Sequence, residues 1–380
     1  MKYFLVLLFS LISLYPHTAL SEEKIKIGLL VPLSGKNNSL GKLIIKSTRM
    51  ALNDIKTNNI EIYPKDTASD PNQTLKSALD LKNEGIKIVI GPIFYENLLY
   101  LDELKEMIFL SLTNKTTNLP SNVISSGVNA TSQLNTIKKF LKSNEINKTI
   151  FLTPKLEYES EIKKAIKESK IKISKQYLYD TEPTKLTSQI EKITNYKIRK
   201  QNLADEIKRV ENSNLNDKEA QLKKLEKKYT IGKVNFNSVI ISDFDESLKS
   251  VITSLLYTDV SPKNKYIIAF NQWFDESLLN EKNIQPIYYP SINKKNFENF
   301  KNKFLKEFDE LPNHLSFLSY DLVGLIYYLS LKSELTEIER LFKKKNSFKG
   351  KIGIFDIHNN KINHRLNFYQ INEGEFKEIF

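Results

Sequence analysis

The chain has 380 residues, 40% hydrophobic and 27% charged, with 57 lysines and arginines against 45 aspartates and glutamates, a net charge of +12. It contains no cysteine, which excludes disulfides, thiolate metal centres, cysteine nucleophiles and a lipid-modified cysteine anchor. The lysines run the whole length beside abundant asparagine and isoleucine, as a codon bias toward AT-rich DNA would produce. The charge therefore reads as a solvated coat, or as a face toward anionic lipid or cell-wall polymer, and no nucleic-acid partner is expected.

In chain order, Lys2 precedes an apolar run from Tyr3 to Tyr15, and Ala19 and Ser21 stand three residues and one residue before a peptidase cut ahead of Glu22. This is the pattern of a secretory signal over residues 1–21, with a core shorter than the roughly 20 residues a bilayer span needs. Export to the periplasm is expected, with no stable membrane span after cleavage. The remainder, 22–380, exceeds what one hydrophobic core organises, and two lobes are expected.

Lys24 to Pro32 reads as a buried strand, Leu40 to Ile55 as a helix, and Ile60 to Tyr63 as a short strand. The pattern repeats: helix from Asn72 to Asn83, strand Ile86–Ile90 ending at Gly91-Pro92, helix through Leu99 to Lys105, strand Ile108–Leu110. After Val123-Ile124 the same alternation resumes with helix Gln133–Lys142, strand Thr149–Leu152, helix Tyr158–Ser169 and strand Ile171–Tyr177. It continues with strand Asn237–Ile241, helix Glu246–Tyr257 and strand Tyr266–Phe270. Alternation with continuously apolar strands specifies an α/β fold of mainly parallel sheets with helices on both faces.

Between these elements, 197–229 is almost wholly polar but keeps Leu203, Ile207 and Val210, then Leu222, Leu225 and Tyr229, at helical spacing on either side of Asn212-Ser213-Asn214. This predicts a charged helical hairpin inserted in the second lobe, either a docking arm or a solvated insertion. The last third predicts helices at Phe297–Phe308 and Leu315–Leu331, the second with an aromatic stripe (Phe317, Tyr320, Tyr327, Tyr328) read as core. Lys351–Asp356 and Leu366–Ile371 read as the arms of a hairpin around His358–Lys361. The lobes are expected at 22–124 with 290–333, and at 125–289 with 334–380.

No catalytic pattern emerges, so no enzyme, cofactor or metal site is expected. His314, His358 and His364 have no metal-ligand spacing and read as surface residues, and no GxSxG elbow occurs. Gly35 to Gly41-Lys42 departs from a phosphate-binding loop by one residue and has Leu43 where the hydroxyl belongs. What remains is positional, because ligands of open parallel sheets sit beyond the carboxyl ends of the strands. Those ends carry the candidate cleft residues Ser34, Gly35, Asp66, Pro92, Phe94, Tyr95, Thr113, Asn114, Asp243, Asn271 and Trp273.

Lys26–Gly35, Asp66–Gln73 leading into a helix, and Ile88–Pro92 closely resemble the opening of type I periplasmic binding proteins of the branched-chain amino-acid receptor family. Tyr320-Asp321 and Phe348–Gly353 resemble that family's C-terminal marks. The resemblance implies two facing lobes and two subgroups of function. The transport receptors place a small hydroxyl residue after the Gly-Pro turn to hold a carboxylate; here the residues are Ile93-Phe94-Tyr95-Glu96. Together with the 197–229 insertion, this looks more like the penicillin-binding protein activators, which stimulate a peptidoglycan synthase by contact. The enteric activators carry a lipidated cysteine and an N-terminal helical-repeat domain, so the shorter activator-like proteins fit better. The alternative is a solute-binding receptor that presents an amino acid or similar small polar ligand to an ABC transporter permease.

Overall fold

The computed structural model describes residues 24–332, 338–351, 353–358 and 360–380; the expected signal segment 1–21 lies outside the described residues. The first sheet is built from β1 (Ile25–Val31), β2 (Ile60–Asp66), β3 (Ile88–Ile90), β4 (Ile108–Ser111) and β5 (Val123–Ser125), all parallel, in the order β2-β1-β3-β4-β5. β1 is buried at every position except Lys26, as a central parallel strand covered on both faces must be. α1 (Asn38–Ile55) and α2 (Pro71–Asn83) return the chain between strands. α2 starts where Asp70 accepts the Gln73 amide at 2.8 Å and Pro71 takes a position that needs no donor. Gly41 in α1 has no phosphate-loop geometry to serve: a Cβ there would lie 1.9 Å from the Pro32 carbonyl oxygen, so glycine lets the helix pack against the end of β1.

The helix expected at Leu99–Lys105 is instead a pair of 3₁₀ turns, Tyr95–Leu98 and Leu101–Glu103. Leu98, Leu101, Leu104 and Met107 recur at every third residue and are all buried, a period that three residues per turn satisfies and 3.6 does not.

α3 (Ala130–Ser143) opens the second unit, followed by β6 (Thr149–Pro154), α4 (Glu159–Ser169), β7 (Lys175–Tyr179) and α5 (Pro183–Ile193). The strand expected at Ile171–Tyr177 is shifted toward Tyr179, and α5 falls where no element was expected. α6 (Tyr196–Glu211) and α7 (Lys218–Glu226) form the hairpin. Within it Val210 and Leu225 are buried and Leu203, Ile207 and Leu222 half-buried, but Tyr229 lies beyond α7 and is 77% exposed, so it does not continue the apolar stripe.

β8 (Ser238–Ile241), α8 (Asp245–Tyr257), β9 (Tyr266–Ala269) and β10 (Ile287–Ser291) complete the parallel part of the second sheet. α9 (Lys294–Phe308) and α10 (His314–Ser330) then pack on the first unit. Ser47 of α1 donates to the Ser316 carbonyl, Tyr320 donates to Asp54 at 2.5 Å, and the Phe317 ring packs tilted by 36° against Phe300 with ring centres 4.7 Å apart. The aromatic stripe of α10 is thus core at Phe317 and Tyr320 and half-buried at Tyr327 and Tyr328.

α11 (Ile338–Lys343) leads into a small antiparallel sheet of β11 (Asn346–Lys349), β12 (Ile354–His358) and β13 (Lys361–Arg365). The expected hairpin between Lys351–Asp356 and Leu366–Ile371 is not formed. β12 pairs with β13, while β14 (Asn367–Asn372) runs antiparallel to β10 and carries β15 (Glu375–Glu378) on its outer edge. The second sheet therefore has the order β15-β14-β10-β9-β8-β6-β7. β13 lies beside the Ser125–Ala130 crossing between the sheets: Asn129 donates to the Ile362 carbonyl at 2.9 Å, and the His364 ring nitrogen Nε2 meets the Ser126 carbonyl at 2.9 Å. His364 is buried, contrary to its reading as a surface residue.

Candidate functional site

Loops at the carboxyl ends of β3, β4, β6, β8 and β9, joined by the first turns of α3 and α10, enclose a cavity of about 450 Å³. The first sheet contributes Phe94, Tyr95, Thr113 and Asn114, and the second Asn271 and Trp273, so six of the eleven candidates meet there. The other five are not among its lining residues. Asp66 accepts the amides of Leu33 (2.7 Å), Ser34 (3.3 Å) and Ala68 (2.8 Å), tying the loop after β1 to the end of β2. Burial works against its charge, but these hydrogen bonds prevail and hold its carboxyl below the usual range. Ser34 and Gly35, the latter with φ of +71°, are exposed in the loop that Asp66 anchors. The Pro92 carbonyl accepts from Leu112 N at 3.1 Å and Ser111 Oγ at 2.7 Å. Asp243 is buried beneath Tyr179, which donates to it at 2.5 Å; burial pushes its carboxyl up despite that bond.

The cavity also takes residues that the sequence reading passed over. Tyr158 precedes α4, and its hydroxyl donates to the Ser242 carbonyl at 3.0 Å. Lys115 lies 3.5 Å from the centre of the Tyr95 ring, a cation-π arrangement. His314 enters from the first turn of α10 and stacks on Trp273 with ring centres 4.6 Å apart. Desolvation there lowers its pKa, although the residue stays exposed. Strand-end reasoning could have found Lys115, one residue beyond Asn114; nothing local announces that His314 stands over Trp273, because distant segments make that contact. Among the described residues no cluster of three acidic or histidine side chains could hold a metal ion.

Asn271 is the most constrained group of the site. Its amide nitrogen donates to Gln133 at 2.7 Å, and its side-chain oxygen accepts from Ser291 Oγ (2.8 Å) and Trp273 N (2.9 Å). The oxygen is thereby fixed, and Nδ2 is left buried without a partner in a residue 2% exposed. A buried donor of this kind costs on the order of 1–3 kcal/mol until an acceptor reaches it. The next two residues, Trp273 and Phe274 after Gln272, hold positive φ of 47° and 59°, a conformation that side chains resist and that the surrounding contacts must impose.

Two second-unit side chains also bridge to the first. Glu161 of α4 accepts the amides of Thr116 (2.9 Å) and Thr117 (3.0 Å) and the Thr116 hydroxyl, and Lys164 donates to the Thr116 carbonyl at 2.5 Å. The loop after β4, which lines the cavity at Thr113 to Lys115, is thus gripped from across the cleft.

Residues 24–199 match the model of the family described as periplasmic binding proteins. No curated protein matches the chain by sequence. Among solved structures, the C-domain of LpoA from Haemophilus influenzae, a regulator of PBP1A, has a TM-score of 0.64 at 15% identity, covering 93% of this chain and 100% of that one. An ABC transporter substrate-binding protein from Desulfitobacterium hafniense in complex with Leu gives 0.63 at 14% identity over 94% and 100%. A solute-binding protein of an ABC transporter from Rhodopseudomonas palustris in complex with 3,4-dihydroxybenzoic acid gives 0.56 at 15% over 91% and 92%. The chain has the two-lobed fold of the type I periplasmic binding proteins, with that family's sequence model matched over residues 24–199.

Proposed function

We propose that the chain is an exported, non-catalytic binding protein that regulates a peptidoglycan synthase by contact, in the manner of a penicillin-binding protein activator. The observation that carries this reading is the grip of Glu161 and Lys164 on the loop at Thr116-Thr117. Lobes held to each other by their own side chains present a fixed outer surface, which a contact regulator needs in order to favour one state of its partner. The likeness to the LpoA C-domain supports it. On this reading the lobes divide at 22–124 with 290–333 and at 125–289 with 334–380, and the hairpin of α6 and α7 is the docking arm. The test is retention of a purified synthase ectodomain on the immobilised chain. Retention that falls when 197–229 is deleted supports the reading; no retention by the intact chain overturns it.

A second reading, a receptor for a small polar solute delivered to a transporter permease, is favoured by Asn271, which lines a cavity of about 450 Å³ and whose buried Nδ2 has no partner; that volume is within the range small-molecule sites occupy. A ligand at about 100 times its dissociation constant stabilises the chain by about 2.7 kcal/mol. Thermal melts against amino acids and aromatic carboxylates that show such a shift, abolished by Asn271→Leu, select this reading over the first. Flat melts across the panel remove it.

A further inference from the structure

The hairpin is rooted on one buried cation. Arg199 donates through Nε to the Thr194 carbonyl at 3.0 Å, through Nη1 to Thr230 Oγ1 at 3.0 Å and through Nη2 to the Thr258 carbonyl. This draws together the start of α6, the segment after α7 and the end of α8. Each segment carries an exposed apolar side chain beside the anchored residue: Ile198 (63% exposed), Tyr229 (77%) and Tyr257 (56%). The Ile231 amide donates to the Arg199 carbonyl at 3.0 Å, which lays 229–231 alongside the first turn of α6.

Lysines flank Ile198 and Tyr229 along the chain, while Asp259, which accepts from Thr230 at 2.5 Å, stands two residues beyond Tyr257. Lys197, Lys200, Lys227, Lys228 and Lys233 are all exposed, and residues 223–233 contain five lysines and one glutamate. Among the described residues, no carboxylate lies within 4.0 Å of Lys200, Lys227, Lys228 or Lys233, and Lys197 reaches Glu191 only at 3.9 Å. The ammonium groups of Lys200, Lys227, Lys228 and Lys233 thus have no carboxylate partner within 4.0 Å among the described residues and can meet an external anion.

We propose that this face at the root of the hairpin docks on the surface of an anionic phospholipid bilayer. Protein interfaces deplete lysine at their dry centres, whereas here lysines directly precede two of the three apolar side chains, Ile198 and Tyr229. The headgroup layer accommodates that mixture: lysines meet phosphates while tyrosine rings and an isoleucine reach the acyl boundary. Among the described residues no helix is long and apolar enough to cross a membrane, so the association is peripheral. It is independent of the cavity, and it occupies the root of the hairpin whose 197–229 segment is assigned above to the synthase contact, so vesicle binding and synthase retention are read separately.

The test is co-sedimentation of the chain from Glu22 onward with vesicles of phosphatidylcholine alone or mixed equally with phosphatidylglycerol. Binding to the anionic vesicles should be at least about tenfold tighter and should fall steeply with added salt. The double variant Lys227→Glu/Lys228→Glu should lose about tenfold or more of that binding, and Tyr229→Ser a smaller share. The equal-charge control Lys36→Glu/Lys87→Glu should lose much less, since those exposed lysines lie outside the face. Equal binding to both vesicles, equal loss in the control, or capture of soluble polyglutamate with no vesicle binding would each overturn the proposal.

Discussion

Gly350 lies against the carboxylate of Asp321: a Cβ on Gly350 would stand 2.3 Å from Oδ2, while the amide of Lys351 donates to Oδ1 at 2.7 Å. The two C-terminal marks that the sequence offered as separate motifs are therefore one contact, between α10 and the strand-rich segment that follows it. Gly350→Ala must displace the buried Asp321 carboxylate and lengthen its bond to Lys351. The expected loss is about 1–3 kcal/mol, read as a lower urea midpoint with an unchanged slope. An unaltered midpoint would mean that Asp321 has room to move.

His364 is held neutral, with burial pushing its pKa down to about 4 against the usual 6.5. The folded chain then resists a proton that the unfolded chain accepts. The stabilisation from this residue is complete above about pH 6.5 and is lost as pH falls toward 4, by about 3 kcal/mol in all. Urea unfolding at pH 7 and pH 5 should show a drop for the parent chain that His364→Gln reduces. Identical drops would place the acid sensitivity elsewhere.

Glu161→Ala removes the acceptor for Thr116 and Thr117 from across the cleft. The chain has a single tryptophan, and Trp273 stacks on His314 in that cleft, so its emission reports the closure. A shift to longer wavelength with retained helical signal is expected as the lobes separate. Emission matching the parent would show that the grip is not what holds them.

Arg199→Ala strips hydrogen-bond donors from the Thr194 and Thr258 carbonyls and from Thr230. Stability should fall by about 2–4 kcal/mol, because buried acceptors lose a charged donor. Limited proteolysis should then cut first between 196 and 233. Uniform cleavage across the chain would contradict a hairpin anchored at this residue.

The repeating strand and helix order was legible because β1, β3, β6, β8 and β9 are continuously apolar or nearly so, and their helices carry clear apolar faces. β10 escaped because Pro290 interrupts Ile287–Ser291, and proline argues against a strand interior. It is accommodated here because the parallel pairing with β9 covers only Ile287 and Tyr288. α5 escaped although Pro183 and the capping Glu182 announce it, since its apolar residues are few. The partner of β14 could not be read locally: β10 lies about eighty residues earlier, and a nearby turn offered a shorter pairing. The same limit applies at the cavity, where strand ends pointed to Phe94, Thr113 and Asn271 but not to His314.

Placing β14 and β15 at the edge of the second sheet has a consequence for how the chain matures. Phe368 and Tyr369 of β14 are fully enclosed, with Phe368 stacked on Phe140 at 4.5 Å, so a core begun at α3 is sealed only by residues past 366. A polypeptide still emerging from a ribosome lacks that seal. The α3 core is therefore completed only once the last strands have been made.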